Sequence, residues 1–427
     1  MTAPETHRAI NAVFRIEQAK LLAGLARMVR DVGIAEELAQ DALVAALEKW
    51  SEQGIPDNPG AWLMATAKHR ALDRFRRSQM LERKHAELGR ELDAEQEAAV
   101  SNMETALDED IGDDLLRLMF VSCHPVLSTE ARVALTLRLI GGLSTGEIAR
   151  AFLVPEPTIA QRIVRAKRTL SGAGIAFEVP RGQDRAARLS SVLEVLYLVF
   201  NEEYSATAGG DWIRPQLCEE ALRLGRILAG LAPEEPEVHG LVALMEIQAS
   251  RLPARTGPSG EPVLLLDQNR GSWDQLLIRR GLAGLERAEG LAREAGSGLG
   301  PYALQAAIAA CHARAHTPAE TDWPRIVALY RTLGELLPSP IVELNRAVAV
   351  GMADGPEAGL SFVDTLIDEP TLKSYHLLPS VRGDFLTKLG RRDEARAEFE
   401  RAAALTRNAQ EQKLLLARAA ACGASEG

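Results

Sequence analysis

The sequence predicts an all-α protein. Hydrophobic residues make up 46% of its 427 residues, but aromatic residues only 4%. Alanine, leucine, arginine and glutamate are abundant and runs of β-branched residues are few, which favours helices over strands. Apolar residues also recur at intervals of three and four, as they do on one face of a helix. A chain of this length exceeds one ordinary domain, so we expect two to four helical units.

The first strongly periodic segment covers residues 34–50 and predicts one amphipathic helix. Its apolar positions recur at helical spacing from Ala35 to Trp50. The opposite face carries three polar residues, Glu37, Gln40 and Asp41. The next ten residues, 51–60, include two prolines and two glycines, so we predict a loop there.

A second helix is predicted after Gly60, with Leu63 and Ala67 among the residues that can pack inward. Its other face is basic, because residues 68–84 carry seven Lys or Arg against two acidic residues. Such a stripe is either a solvated helix face or a contact with phosphate. Considered alone, the stripe leaves both interpretations open.

The charge then reverses sign. Residues 85–114 contain eleven Asp or Glu and a single arginine, with few large apolar residues. Such a segment repels itself and cannot support a packed core, so we predict a flexible acidic linker over residues 81–115. Two basic helical modules separated by an acidic linker suggest a protein that contacts DNA at two separate places.

The most informative segment covers residues 144–170, where two short helices are predicted with a tight break between them. Ser144 and Glu147 form a capping box, so the first helix begins at about the next residue after Ser144. Pro155 and Pro157 fit only the first turn of a helix, so a second helix runs from about residue 156. This arrangement is typical of a helix-turn-helix that places its second helix in the major groove.

The second of these helices has one apolar and one basic face. Its apolar side carries Ile159, Ile163, Ala166 and Leu170. It carries four basic residues and no acidic one beyond Pro157, although the formal net charge of the protein is −10. We predict that Gln161 and Arg165 contact base edges. Phosphate contacts are predicted for Arg162, Lys167 and Arg168.

The alternative for this helix is an amphipathic bundle helix with a solvated basic face. The capped helix and the turn before it favour DNA binding over that alternative. The negative net charge argues against non-specific coating of DNA, because that mode of binding grows with the number of phosphates neutralised. We therefore expect weak DNA binding alone and productive binding within a larger assembly.

Several other classes of protein are not indicated. The N-terminal residues lack a signal-peptide core and no uncharged apolar stretch reaches about 18 residues, so we expect a cytoplasmic protein with no membrane partner. The four cysteines are scattered, and we take Cys123 as a small core residue. No nucleophile–base pair, phosphate loop or metal-ligand spacing stands out, so we expect no catalytic residue, no cofactor and no metal ion.

Three motifs occur in the order AEELAQDALVAALEKW, PGAWLMATAKHRALDRFRR and the helix-turn-helix. Together they resemble an extracytoplasmic-function sigma factor of the sigma-70 type, and the resemblance covers residues 10–175. It implies a module over residues 8–80 that binds RNA polymerase and the −10 promoter element. It also implies a module over residues 116–175 that binds the −35 element. The implied partners are core RNA polymerase, through its β′ clamp and β flap, and promoter DNA.

The resemblance also implies roles for individual residues. The positions that match the contact with the β′ clamp are Glu37, Gln40 and Asp41. The positions that match the contact with the −10 element are Lys68, His69, Arg70, Asp73, Arg74 and Arg77. The positions that match −35 recognition are Ala160, Gln161, Val164 and Arg165. Pro155 stands where the family usually has a polar N-cap.

Residues 180–427 predict a C-terminal α-helical domain. Small and apolar residues occur there at the offsets of tetratricopeptide repeats: Gly383, Leu386, Gly390, Ala395, Phe399 and Ala402. Residues 341–368 look like a degenerate copy of the same helical hairpin. Stacked hairpins form a concave groove, so a protein or peptide partner is expected in this domain.

Four blocks of this extension resemble the tail of one sigma subgroup: VLYLVFNEEYSATAGG, LLLDQNRGSWDQLLI, GPYALQAAIAACHARA and SPIVELNRAVAVG. The resemblance implies a tetratricopeptide-like module that regulates activity in place of a separate membrane anti-sigma protein. A set of polar and aromatic residues in the tail either lines a small-molecule pocket or has structural roles, which we favour. They are Asn201, Glu202, Glu203, Tyr204, Asp267, Gln268, Arg270, Trp273, Asp322 and Trp323.

Three hypotheses follow. The chain is a dissociable initiation subunit of RNA polymerase, a ligand-responsive helix-turn-helix regulator that does not require polymerase, or a scaffold or enzyme whose C-terminal half has the main role. A simple regulator has no need of the polar face around Gln40 and Asp41 or of the basic helix after it. These two features favour the first hypothesis.

Overall fold

The computed structural model describes residues 3–85, 111–152, 154–204, 215–257, 263–406 and 408–423. Within these ranges the regular structure is helical and no β-strand occurs, which confirms the predicted all-α class. The α-helices are α1 (Ala3–Val29), α2 (Val32–Gln53), α3 (Pro59–His85), α4 (Ile111–Ser122), α5 (Thr129–Leu139), α6 (Thr145–Ala151), α7 (Glu156–Gly172), α8 (Gly182–Tyr204), α9 (Pro215–Leu231), α10 (Pro236–Ala249), α11 (Gln275–Glu294), α12 (Pro301–Arg314), α13 (Trp323–Leu336), α14 (Pro340–Ala353), α15 (Pro356–Asp364), α16 (Leu377–Lys388), α17 (Arg392–Leu405) and α18 (Ala409–Gly423). The chain forms two compact units, residues 1–198 and 199–427.

Helices α1, α2 and α3 pack against one another, and we call them the N-terminal module. Helix α2 starts where Asp31 accepts a hydrogen bond from the backbone N–H of Ile34, at 2.9 Å. It is longer than predicted at both ends, and Asn58 accepts from the backbone N–H of Ala61 at the start of α3, at 3.1 Å. The loop is therefore confined to residues 54–58 instead of the predicted 51–60.

The predicted acidic linker over residues 81–115 is helical at both of its ends. Residues 81–85 continue α3, and residues 111–115 begin α4. Asp113 and Asp114 lie in the first turn of α4, where a negative charge stabilises the end of a helix. Residues 86–110 lie outside the described residues.

Helices α4 to α7 follow, and we call them the helix-turn-helix module. Ser128 caps α5 through the backbone N–H of Ala131. The predicted capping box of Ser144 and Glu147 is present at the start of α6. Helix α7 rests on both α5 and α6, and α4 packs against α5 and against α1.

Helix α8 crosses the boundary between the two compact units, which falls after Leu198, whereas we predicted a domain that begins at residue 180. Its first half is tied to α4 by polar contacts. Arg188 donates to the carbonyl of Phe120 at 3.0 Å, and the Ser191 hydroxyl donates to the carbonyl of Cys123 at 2.6 Å. These contacts explain why the first compact unit extends into α8.

In the second unit α10 is the central helix, because it packs against α9, α11 and α12. It is buried on nearly all sides. A Cβ added at Gly240 would lie 2.7 Å from the backbone nitrogen of Ala303, so α10 and α12 cross in close contact. The half-buried carboxylate of Glu237 accepts hydrogen bonds from the N–H groups of Tyr302 and Ala303 at the start of α12, at 2.9 and 3.0 Å.

Helices α13 to α18 pack against their neighbours in chain order. The residues of the proposed repeat motif lie where α16 meets α17. A Cβ added at Gly383 would lie 2.9 Å from Phe399, and Gly390 turns the chain between the helices with a φ of 74°. The remaining motif residues are buried in the same core: Leu386, Ala395 and Ala402.

The degenerate copy over residues 341–368 is also a helical hairpin, formed by α14 and α15. A Cβ added at Gly359 would lie 2.7 Å from the Cα of Gly351, so the two helices touch through glycines. The side chain of Phe385 from α16 packs against both glycines. This hairpin and the next one therefore share one hydrophobic core.

Candidate nucleic-acid interface

Helix α7 buries the apolar row that the sequence predicts. Its buried residues are Ile159, Ile163, Ala166 and Leu170. The predicted base-contacting and phosphate-contacting face is turned away from this row. Its exposed members are Gln161, Val164, Arg165 and Arg168, and its half-buried members are Ala160, Arg162 and Lys167. The helix thus presents a continuous surface on which arginines flank Gln161 and Val164.

The turn between α6 and α7 is built by the two prolines. Pro155 occupies the N-cap position without a side-chain hydrogen bond, and Pro157 lies in the first turn. Backbone hydrogen bonds replace the missing polar cap. The N–H of Val154 donates to the carbonyl of Ala149 at 3.0 Å, and the N–H of Thr158 donates to the carbonyl of Pro155 at 2.9 Å. Leu153, where we placed the break, lies outside the described residues.

The ammonium group of Lys167, which we predicted to contact phosphate, is bound within the protein. It donates to the carboxylate of Glu36 on α2. The same carboxylate accepts from the Nε of Arg138 on α5, at 2.7 Å. Burial raises the pKa of Glu36, but the charges and hydrogen bonds of Lys167 and Arg138 outweigh burial and lower it below its ordinary value.

Sequence reasoning missed Glu36. It named the exposed neighbour, Glu37, and left Glu36 unassigned although it borders the apolar row that contains Ala35 and Ala39. A carboxylate on the inward face of a helix signals a buried cationic partner, since an unpaired buried charge is strongly unfavourable. That signal predicts a partner but does not identify it.

On the N-terminal module, the residues assigned to polymerase and to the −10 element face each other on neighbouring helices. Asp41 pairs with Arg70 at 3.5 Å, and Glu37 pairs with Arg74 at 2.6 Å. All four side chains are at least 38% exposed, so these ion pairs are weak and another charged partner can replace them.

The other assigned residues of this surface are less uniform. His69 and Asp73 are exposed, whereas Lys68 and Gln40 are half-buried. The side chain of Arg77 lies outside the described residues, although its backbone belongs to α3.

Aromatic packing fixes α2 against α3 close to this surface. Trp50 is buried and meets Trp62 edge to face, with ring centroids 5.1 Å apart. The ammonium of Lys49 lies over the Trp62 ring, 5.9 Å from its centroid. The rigid rings of Trp50 and Trp62 therefore fix the spacing between the polar face of α2 and the basic face of α3.

Cys123 is a core residue, as the sequence predicts. Its thiol is buried beside the hydroxyl of Thr136 at 3.2 Å, and burial raises its pKa to about 12. Among the described residues, no group of three or more His, Cys, Asp or Glu is arranged to hold a metal ion. A thiol with so high a pKa is unsuited to nucleophilic chemistry at neutral pH.

In the second unit, several residues that we considered for a small-molecule pocket have structural roles. Arg270 is buried and donates to the carbonyls of His312 and Ala315, at 2.9 and 2.7 Å. Its guanidinium also donates to the Thr321 hydroxyl and lies 5.2 Å from the centroid of the Trp273 ring. Arg270 thus stabilises the chain that follows α12.

Asp322 is a helix cap, as the structural interpretation predicted. Asp322 accepts from the backbone N–H of Arg325 at the start of α13, at 3.0 Å. Asn269 accepts from Gly271 at the start of a short 3₁₀ helix. Glu202, Glu203 and Tyr204 have side chains outside the described residues.

The second unit also contains an open groove of about 320 Å³. Its walls come from successive hairpins and from the segment before α11. Lining residues include Leu264, His312, Trp323, Tyr330, Phe385 and Arg418. The residues that line the groove are mostly apolar.

None of the described helices has both the length and the apolar character needed to cross a membrane.

Two family models match the first unit. Residues 13–80 match "Sigma-70 region 2" and residues 117–170 match "Sigma-70, region 4". Residues 188–289 match a family described as "Family of unknown function (DUF6596)". The first two matches cover the N-terminal module and the helix-turn-helix module in that order.

The chain is similar to several curated proteins. It is 44% identical over 91% of its length, and over 90% of the relative, to the uncharacterized protein R00370 of Rhizobium meliloti (strain 1021). It is 28% identical over 42% of its length, and over 60% of the relative, to the probable ECF RNA polymerase sigma factor SigI of Mycobacterium tuberculosis. The ECF RNA polymerase sigma factor SigK of Mycobacterium ulcerans is 29% identical over 34% of this chain and 75% of its own. No solved structure matches the chain.

Proposed function

Because this chain belongs to the extracytoplasmic-function sigma factors of the sigma-70 type, with a C-terminal helical extension, we propose how its modules divide promoter recognition between them. The protein is an alternative sigma factor that directs transcription initiation, and its partners are core RNA polymerase and promoter DNA. Factors of this kind act in initiation as non-enzymatic subunits.

Helix α7 reads the −35 element. The observation that carries this proposal is that α7 buries its apolar row and exposes Gln161, Val164 and Arg165 together. A helix of this form fits the major groove, where glutamine and arginine read base edges. The cations at Arg162 and Arg168 are placed on either side for phosphates.

The N-terminal module binds both polymerase and the −10 element. Glu37, Gln40 and Asp41 on α2 contact the β′ clamp. The basic face of α3 contacts the −10 element through Lys68, His69, Arg70, Asp73, Arg74 and Arg77. In the free chain, Arg70 and Arg74 pair weakly with the exposed carboxylates of Asp41 and Glu37. On binding, the carboxylates pair with polymerase and the arginines pair with DNA, and these new pairs are stronger.

The helical extension regulates the two modules. Its apolar groove binds a protein or peptide partner, and the buried roles of Arg270 and Trp273 argue against a small-molecule pocket at those residues. The helix-turn-helix module also contacts the β flap of the polymerase.

Reconstituted transcription tests this proposal. Purified full-length protein is mixed with core RNA polymerase and fragmented genomic DNA, and transcript 5′ ends are mapped. Defined start sites preceded by shared −35 and −10 sequences support the proposal. Transcripts without a shared sequence would contradict it.

The runner-up is a ligand-responsive helix-turn-helix regulator that works without polymerase. It predicts tight and specific binding of the free protein to one DNA site, with no transcripts when core polymerase is the only other protein. The same reaction therefore separates the two functions.

A further inference from the structure

A second cavity, of about 310 Å³, lies beside the groove of the second unit. Four residues line both: Leu264, Leu265, Ser380 and Arg418. The backbone of Leu264 is extended, with a φ of −64° and a ψ of 150°, and Leu265 packs against the core cluster that contains Trp273. The side chain of Gln268 donates to the carbonyl of Val263 at 3.1 Å. Leu264 and Leu265 therefore form a fixed ridge between the groove and the second cavity.

Helix α16 sets the spacing of the two cavities. The second cavity is lined by residues from His376 to Ser380, and the groove by residues from Ser380 to Lys388. The centres of these two stretches are about six residues apart, which is about 9 Å along a helix. A partner must therefore present two separate apolar side chains, one on each side of the ridge, to fill both cavities at once.

The two cavities are basic, although the protein carries a formal net charge of −10. Four cationic side chains and two carboxylates line them: Arg251, Arg255, Lys388, Arg418, Asp384 and Glu411. Both carboxylates already have partners, because Asp384 pairs with Lys388 and Arg418, and Glu411 pairs with His376. This local reversal of charge sign attracts a negatively charged partner.

The apolar part of the lining is open to solvent on both sides of the ridge. Leu264 on the ridge is 45% exposed, and Leu377 in the second cavity is 38% exposed. Trp323 and Tyr330 add aromatic surface to the groove. A concave apolar surface that is rimmed by charged groups is typical of a site that binds another protein.

We propose that the groove and the second cavity together bind an acidic amphipathic helix of a partner protein. Two of its apolar side chains lie on either side of the ridge, and its acidic residues face the cations of the rim. Helical residues seven positions apart lie on one face at about 10.5 Å, close to the spacing of the cavities. In an extended peptide, side chains on one face are separated by about 6.7 or 13 Å, so it matches this spacing less closely. The inference rests on the partner-binding role that the proposed function gives to the groove, and it specifies the partner.

A peptide selection tests the chemistry of the partner. A displayed library of random peptides of about 16 residues, slightly more than four helical turns, is enriched on immobilised full-length protein. We expect the recovered sequences to contain more Asp and Glu than Lys and Arg, with large apolar residues seven positions apart. A fluorescent peptide with the consensus sequence is then titrated with the protein, and its anisotropy gives the affinity.

Two substitutions test the charge and the apolar character of the site. Lys388→Glu reverses an exposed charge at the groove and should weaken binding of the consensus peptide about tenfold. Leu377→Gln places an amide in the second cavity and should weaken it by a similar factor. Thermal melts of the variants confirm that they fold, as expected for exposed positions.

Matched controls lie on α18, outside the residues that line the two cavities. Lys413→Glu makes the same charge reversal at an exposed lysine, and Leu416→Gln makes the same replacement at a leucine that is 50% exposed. Each should change the affinity by less than about twofold.

Several outcomes would overturn the proposal. They are a selection without enrichment, a consensus without an excess of acidic residues, and equal affinities for Lys388→Glu and Lys413→Glu. A dimer of the free protein that Leu377→Gln dissociates would assign the surface to a second copy of the chain and would also overturn it. A failure of reconstituted transcription would instead contradict the proposed function, and the selection would still decide what the groove binds.

Discussion

Arginine side chains have different environments in the two compact units. On α3 and α7 of the first unit, Arg74, Arg165 and Arg168 are exposed, and Arg74 pairs with an exposed carboxylate. In the second unit, Arg270 is buried and donates to two carbonyls and a hydroxyl. An arginine that donates to backbone carbonyls within the protein is part of the fold. An arginine that faces solvent is available to an external anion.

The pair of Glu36 with Lys167 combines features of both environments. Its carboxylate is buried like Arg270, yet its cation belongs to α7, the helix that we propose reads DNA through Arg165. In the proposed function, the contact with Glu36 and the contact with DNA compete for the Lys167 side chain. Substitutions at each kind of site should therefore have different effects.

The largest effect is expected at Arg270. Arg270→Ala leaves the carbonyls of His312 and Ala315 without their donor in a buried site, which should lower the free energy of unfolding by about 3–5 kcal/mol. Urea unfolding of the full-length protein measures this loss of stability. Arg396→Ala is the matched control, since that arginine is exposed in a pair with Glu400 and should change stability by less than about 0.5 kcal/mol. Similar losses in the two variants would remove the distinction between the units.

A pH effect of slightly smaller size is expected from His312. Burial, with the nearby charges of Arg251 and Arg270, lowers its pKa to about 4 from the ordinary 6.5. As the pH falls below 6.5 the unfolded chain binds the proton first, so stability falls, and the loss is complete below about pH 4 at about 3 kcal/mol. Urea unfolding at pH 7 and pH 5 should show a smaller loss for His312→Phe than for wild type. An identical loss in both proteins would contradict the assignment.

Arg165→Ala should have an intermediate effect, on DNA recognition alone. Loss of one base-edge contact weakens binding to the −35 element by about 1–3 kcal/mol and relaxes sequence preference there. Transcription by the reconstituted enzyme from a set of −35 variants measures this preference. Arg181→Ala removes an exposed arginine beyond the end of α7 and should leave the preference unchanged. If Arg165→Ala selects promoters as wild type does, the register of the reading helix is wrong.

The smallest of the four effects is expected at Asp41. Asp41→Lys reverses a charge that is 56% exposed, so it should weaken binding to core polymerase by about 1 kcal/mol without altering the fold. Co-purification with core polymerase and a thermal melt of the free protein measure the two properties. Glu48→Lys makes the same reversal at an exposed position about two turns further along α2, away from the assigned residues. Equal binding by both variants would argue against the assignment of that face.

The sequence was sufficient wherever the determining contacts are local. The buried row of α7 and the capping box of Ser144 depend on residues within one or two turns, so periodicity and spacing predicted both. The helix cap at Asp322 was predicted for the same reason, whereas the role of Asn269 as a cap was not predicted. The length of α2 was less accessible, because helix ends depend on which caps the chain finally uses.

Contacts between distant segments could not be read from the sequence. Glu36 meets cations that lie 102 and 131 residues away, and Arg270 meets carbonyls that lie 42 and 45 residues away. Nothing in a local pattern identifies such partners. The buried position of Glu36 shows that a charged side chain bordering an apolar row is the signal to follow.

The spacing between the two promoter elements tests the central claim most directly, which is that two separate modules read both elements in a single complex. Run-off transcription with core polymerase is measured on the mapped promoter and on templates that add or remove five base pairs between the elements, about half a helical turn. We predict at least about a tenfold loss of transcript on both altered templates, because one module then faces the wrong side of the DNA. Transcript levels that do not depend on the spacing would contradict the account.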